Sequence, residues 1–209
     1  NQNGQGSETG HLTLLAKDCT GYTNLCRLIT AAHAAGERNA PRLDPSLLPS
    51  HAGGLIVLSG CPQGELSRLV VNSRFEEAKR LVQRYLDWFG TENYYIELQH
   101  NLAPGDTARN RHLIALARET GARLVATGNV HYHDRSRHRL QDCLVAIKHC
   151  TSLEESHRQR RPNSEYYLRP VAELAELFRG CPEALENTID IAERCTFDLT
   201  GERLYTFPD

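Results

Sequence analysis

Apolar and polar positions alternate between two rhythms along this chain. Short apolar runs, His11–Ala16 (HLTLLA), Leu55–Ser59 (LIVLS), Tyr94–Leu98 (YYIEL) and Arg123–Thr127 (RLVAT), predict strands. Between them, apolar residues recur at the spacing of a helix face. Thr20–Ala35 carries Leu25, Leu28 and Ile29, and Phe75–Phe89 carries Ala78, Leu81, Val82 and Tyr85. Further helices are predicted over Gly64–Val71, Asp106–Thr120 and Leu140–Lys148, then over Pro170–Phe178 and Pro182–Arg194, each of the last two opened by a proline. Residues 37–54, with Pro41, Pro45, Pro49, Gly53 and Gly54, read as a loop, and 151–169 as an irregular polar connection.

Strands alternating with helices predict a parallel sheet of the α/β class. The strands seen here are too few to close a barrel, which takes about eight. The chain therefore reads either as an open sheet or as the later part of a larger barrel. A partial barrel is expected to leave a strand edge and apolar helix faces unpaired, and so to self-associate.

Composition narrows the class. The 209 residues are 40% hydrophobic, as in ordinary globular chains. No apolar run approaches the roughly 18 residues of a membrane span. Residues 1–10 are polar and glycine-rich, lack the core of a signal peptide and read as a disordered lead-in. The seven cysteines form no Cys-x-x-Cys pair, so free thiols in a reducing cytoplasm are expected. The net charge of −2 does not mark a nucleic-acid binder. The stretch 135–161 is nevertheless locally basic, with Arg158, Arg160 and Arg161 at its end. It reads either as a solvated surface or as a phosphate-contacting edge for DNA.

Candidate chemistry gathers at strand ends, where parallel barrels place their sites. The run 123–127 stops at Gly128 and is followed by Asn129 and His131; the run 55–59 is followed by Gly60 and Cys61; His11 opens the first run. Imidazole and thiolate are ligands for zinc and related metals. Extended backbone would point Asn129 and His131 the same way. Each residue also has a plain alternative: a structural histidine or a packed thiol. Asn129 offers a neutral oxygen where a metal prefers a carboxylate. Glu97 reads as a salt-bridge partner or a general base. Neither a nucleophile elbow nor a phosphate-binding P-loop is present, and no catalytic residue is assigned.

Several stretches resemble one family. His11–Lys17 (HLTLLAK) with Gly21–Leu25 (GYTNL), Gly54–Pro62 (GLIVLSGCP) and Val125–Tyr132 (VATGNVHY) resemble the later part of the PHP (polymerase and histidinol phosphatase) domain of bacterial C-family DNA polymerases. Glu173–Phe178 (ELAELF), Pro182–Thr188 (PEALENT) and Ile191–Cys195 (IAERC) resemble the passage from that domain towards the polymerase palm. The segments Gly128–His131 and Arg135–Asp142, with Arg160–Asn163, lean towards the error-prone type.

The resemblance implies a partial (β/α)7 PHP-type barrel with parallel strands, lacking its N-terminal strands. Residues 11–150 would be the later part of the barrel, and 151–209 the connection and helices at the palm junction. It further implies that His11, Cys61, Asn129 and His131 match metal-ligating positions for a divalent ion (zinc, manganese or magnesium), and that the parent polymerase uses magnesium. The implied function is part of an error-prone DNA-directed DNA polymerase of replication, translesion synthesis and repair. The PHP site would be structural, or a degraded phosphoesterase or 3′-5′ exonuclease site. Implied partners are DNA, deoxynucleotides and other replication or repair proteins, in the cytoplasm and with no membrane. The metal ligands of earlier strands and the palm aspartates are absent from this sequence, so the piece alone is expected to be inactive. The alternative is a freestanding phosphoesterase of the histidinol-phosphatase kind.

Overall fold

The computed structural model describes residues 10–37 and 40–201, so the expected lead-in lies outside the described residues except for Gly10. The strands are β1 (Thr13–Ala16), β2 (Leu55–Leu58), β3 (Tyr94–Gln99) and β4 (Arg123–Thr127). The helices are α1 (Cys19–Ala35), α2 (Glu65–Val71), α3 (Phe75–Phe89), α4 (Asp106–Thr120), α5 (His138–Lys148), α6 (Val171–Leu177) and α7 (Glu183–Arg194). Each predicted element is present within a few residues of its expected bounds. None of the helices among the described residues is long and apolar enough to cross a membrane.

The strands form one sheet in the order β1-β2-β3-β4. β2, β3 and β4 run parallel, consistent with the partial PHP-type barrel that the resemblance implies. β1 departs from the expected parallel arrangement: it pairs antiparallel to β2, with Thr13 opposite Leu58 and Ala16 opposite Leu55. The cause is the loop that follows α1. Its 17 residues carry the chain about 25 Å away. Residues 40–54 then return to the start of the helix. There Gly54 O accepts from Lys17 N–H at 2.8 Å, and a Cβ on Gly21 would lie 1.9 Å from Gly54 O. β2 thus begins where β1 ends, and the two must run in opposite senses. An antiparallel strand at the edge of a parallel sheet is a common mixed arrangement.

One sheet face carries Val57, Ile96, Leu98 and Leu124, all nearly inaccessible, against α2, α3 and α4. The other face carries Ile56, Leu58, Tyr95 and Val125, and packs on Ile191 of α7 and on Cys195. Helix α7 is pinned there by polar contacts. Arg123 reaches Asp190 at 3.0 Å and Asn187 at 2.6 Å, and Tyr95 OH donates to Asp190 at 2.9 Å. Asn187 Nδ2 donates to Leu124 O at 2.7 Å. β4 is an edge strand, as expected of a partial barrel, and the carbonyl of Leu124 on that edge takes a side-chain donor from α7. The expected apolar helix face is found on α5, where Leu140, Leu144 and Ile147 are exposed.

Candidate metal-type rim at the strand ends

The parallel strands β2, β3 and β4 finish on one edge of the sheet, so the segments after them share a rim. Antiparallel pairing brings the start of β1 to the same rim, with His11 opposite Gly60. Gly60 makes this approach possible. Its φ is +90°, and a Cβ there would lie 2.2 Å from His11 O. The consequence is a close pair: Cys61 Sγ stands 3.7 Å from His11 Nδ1. His11 is exposed and Cys61 half-buried.

Asn129 and His131 follow β4, two strands from β2, a separation of about 10 Å between strand axes. β4 ends at Thr127, and Asn129 adopts φ +46°, the left-handed region that asparagine tolerates better than most residues. Backbone alternation therefore does not carry through from 129 to 131, contrary to the expectation from extended geometry. His131 is held from the connection 151–169. Its N–H donates to Tyr166 O at 2.8 Å, and its ring meets the Tyr166 ring edge-on at 5.9 Å. Arg161 Nη2 lies 2.7 Å from His131 Nε2, with its guanidinium 5.1 Å over the Tyr166 ring. Burial, and then the Arg161 charge, holds the His131 imidazole below its ordinary range.

The floor between the two pairs is polar and buried. Glu97 Oε1 accepts from Gln99 Nε2 at 2.8 Å and from the Thr127 hydroxyl, while Ser59 Oγ accepts from Glu97 N–H at 2.9 Å. Glu97 thus joins a hydrogen-bond network in the wall, and its Oε2 has no partner among the described residues. Beyond β3, Asn101 Nδ2 donates to Gly128 O at 2.9 Å and to Glu165 O at 3.1 Å, and Asn101 O accepts from Asn163 Nδ2 at 2.8 Å. Asp106 caps this turn from α4 by accepting from Asn101 N–H at 2.8 Å, and pairs with buried Arg109 at 2.8 Å. Asn101, Arg161 and Tyr166 are rim residues that sequence reasoning did not single out in these roles. Applying the strand-end rule to the third strand would have found Asn101; nothing local marks Tyr166.

The rim residues fall into two sets, His11 with Cys61, and His131 with Arg161 and Tyr166. Among the described residues, no group of three or more His, Cys, Asp or Glu side chains could hold one metal ion. A zinc or manganese centre needs at least four ligands, several of them anionic or imidazole. The side chains as arranged here do not fit such a centre. Of the basic trio, Arg160 is paired with Asp142 at 3.2 Å and Arg161 with His131, while Arg158 is exposed.

Comparison with known proteins agrees with the geometry. A family model described as the PHP domain matches residues 2–101. An error-prone DNA polymerase of Symbiobacterium thermophilum is 40% identical over 201 residues, covering 88% of this chain and 18% of the relative. The DNA polymerase III subunit alpha of Thermus aquaticus is 36% identical over 212 residues, covering 98% of this chain and 17% of the relative. An error-prone DNA polymerase of Nocardia farcinica is 35% identical over 197 residues, covering 90% and 17%. The chain spans less than a fifth of the length of these curated relatives.

Proposed function

From the premise that this chain carries a PHP domain of the kind found in error-prone DNA polymerases and DNA polymerase III alpha subunits, we propose that it is the scaffold segment of a DNA-directed DNA polymerase of the error-prone type. The supporting observation is the reach of the similarity. It covers 98% of the chain in the Thermus aquaticus relative, and so extends past residue 101 through the connection and the closing helices, and 88% in the Symbiobacterium thermophilum relative. Residues 11–150 are then the barrel wall, and 151–209 the passage towards the catalytic domain. DNA and deoxynucleotides are partners of the parent, in the cytoplasm, with magnesium serving its phosphoryl transfer.

His11, Cys61, Asn129 and His131 occupy metal-type positions in this reading, and no hydrolytic step is assigned to them. A buried carboxylate network beneath two separated donor sets supports a wall that carries structure. The test is primer extension by the parent polymerase with magnesium. Val57→Asp, which puts a charge into the fully buried strand β2, is expected to abolish extension. His11→Ala combined with Cys61→Ser is expected to leave extension near the wild-type rate. Loss of extension in the folded double variant would contradict the scaffold reading.

A further inference from the structure

We propose that the Arg161 guanidinium is a built-in cation that takes the place of a metal ion at His131, so that the β4 side of the rim is closed by the chain itself. This rests on reading the rim as a PHP-type site that has lost its fit for metal.

A neutral imidazole has one nitrogen that carries a proton and one that accepts. A guanidinium has donors only and does not deprotonate. The 2.7 Å contact between Arg161 Nη2 and His131 Nε2 is therefore an N–H donated into the Nε2 lone pair. That lone pair is the one a metal would need at this nitrogen. Arg161 and a metal ion exclude each other there, by occupancy and by like charge.

Arg161 is held in this position. Its plane lies over Tyr166, the same ring that receives His131 edge-on, and Tyr166 O takes the His131 N–H. Pro162 follows immediately and biases Arg161 towards extended backbone. Asn163 then ties the segment to the end of β3 through Asn101 O. Arg160 points elsewhere, to Asp142, so the two neighbouring arginines have separate tasks. Asn129 fits the same picture. With no carboxylate there, the rim beside His131 lacks the negative charge that would draw a divalent ion in against the guanidinium. Cys61 and His11 remain a separate pair on the far side of β3.

The test uses the full chain and zinc alone, without DNA or nucleotide, so its outcome is independent of whether the parent polymerises. Isothermal titration with zinc chloride is compared for wild type, Arg161→Ala and Arg161→Ala/His131→Ala. The expected result is at least tenfold tighter zinc binding in Arg161→Ala, with the gain absent from the double variant. Unchanged affinity in a folded Arg161→Ala chain would overturn the proposal, as would a gain that survives removal of His131. A second measurement needs no variant. In nitrogen-15 spectra of wild type, His131 is expected to be neutral with its proton on Nδ1, and one equivalent of zinc should leave its signals in place. His131 signals that move on addition of zinc would overturn it.

Discussion

At the scale of single residues, close approaches and unmet polar groups carry the account. Gly60 admits the His11 backbone, and without that approach the imidazole would not stand beside Cys61. Tyr94 is the opposite case, a residue whose polar atom has no use in the fold. Its ring is fully buried among α3 aromatics, including Tyr85 at 5.3 Å, and its hydroxyl has no partner among the described residues. Burial holds that phenol protonated far above its ordinary range. An unmet buried hydroxyl costs about 1–3 kcal/mol of desolvation, so Tyr94→Phe should be neutral to stabilising by roughly 1 kcal/mol. Urea unfolding checks this, and a loss of stability would reveal a partner for the hydroxyl. The chemistry-bearing residues were legible as types at strand ends. Their partners were not, because Arg161 stands 30 positions from His131 and Cys61 stands 50 from His11, and only packing brings them together.

At the scale of elements, helix α7 shapes the sheet most. It reaches the β4 edge through Asn187, and its Asp190 and Arg194 meet Tyr95 and Arg123 on the sheet face that it covers. Asp190 is the hub. The Tyr95 hydroxyl, with Arg123 and Arg194, holds its carboxyl below the usual carboxylate range. A depressed folded value means the unfolded chain binds the proton first as pH falls. The stabilisation is therefore present above the ordinary aspartate range, about pH 3.9, and is lost as pH drops through the folded value. Asp190→Asn should be less stable than wild type at neutral pH, with the difference closing below about pH 4. Chemical unfolding across pH measures that gap, and a constant gap would contradict the role given to the carboxylate. Periodicity revealed α7 as a helix, but its docking across the sheet depends on Asn187 and Asp190 meeting residues more than sixty positions away. The reversed sense of β1 was equally hidden, since it follows from the return path of residues 40–54 and not from any pattern within the strand.

At the scale of the whole molecule, the chain is a barrel wall whose rim keeps metal-type residues in separate sets. The sheet face against α2, α3 and α4 holds the larger core and the face under α7 a smaller one, as the apolar runs indicated, because burial on both faces of a parallel sheet demands continuous apolar strands. The division of the rim follows from geometry that no single motif encodes: β3 stands between the two donor sets, and a guanidinium fills one of them. The central claim is that this rim has become structural. Its most direct test is the metal content of the purified full chain, grown with zinc and manganese and measured by mass spectrometry beside Asn129→Asp/Arg161→Ala. The account predicts substoichiometric metal in the wild type and a clear rise in the double variant. A wild-type chain that retains a full complement of metal bound through His131 would contradict it.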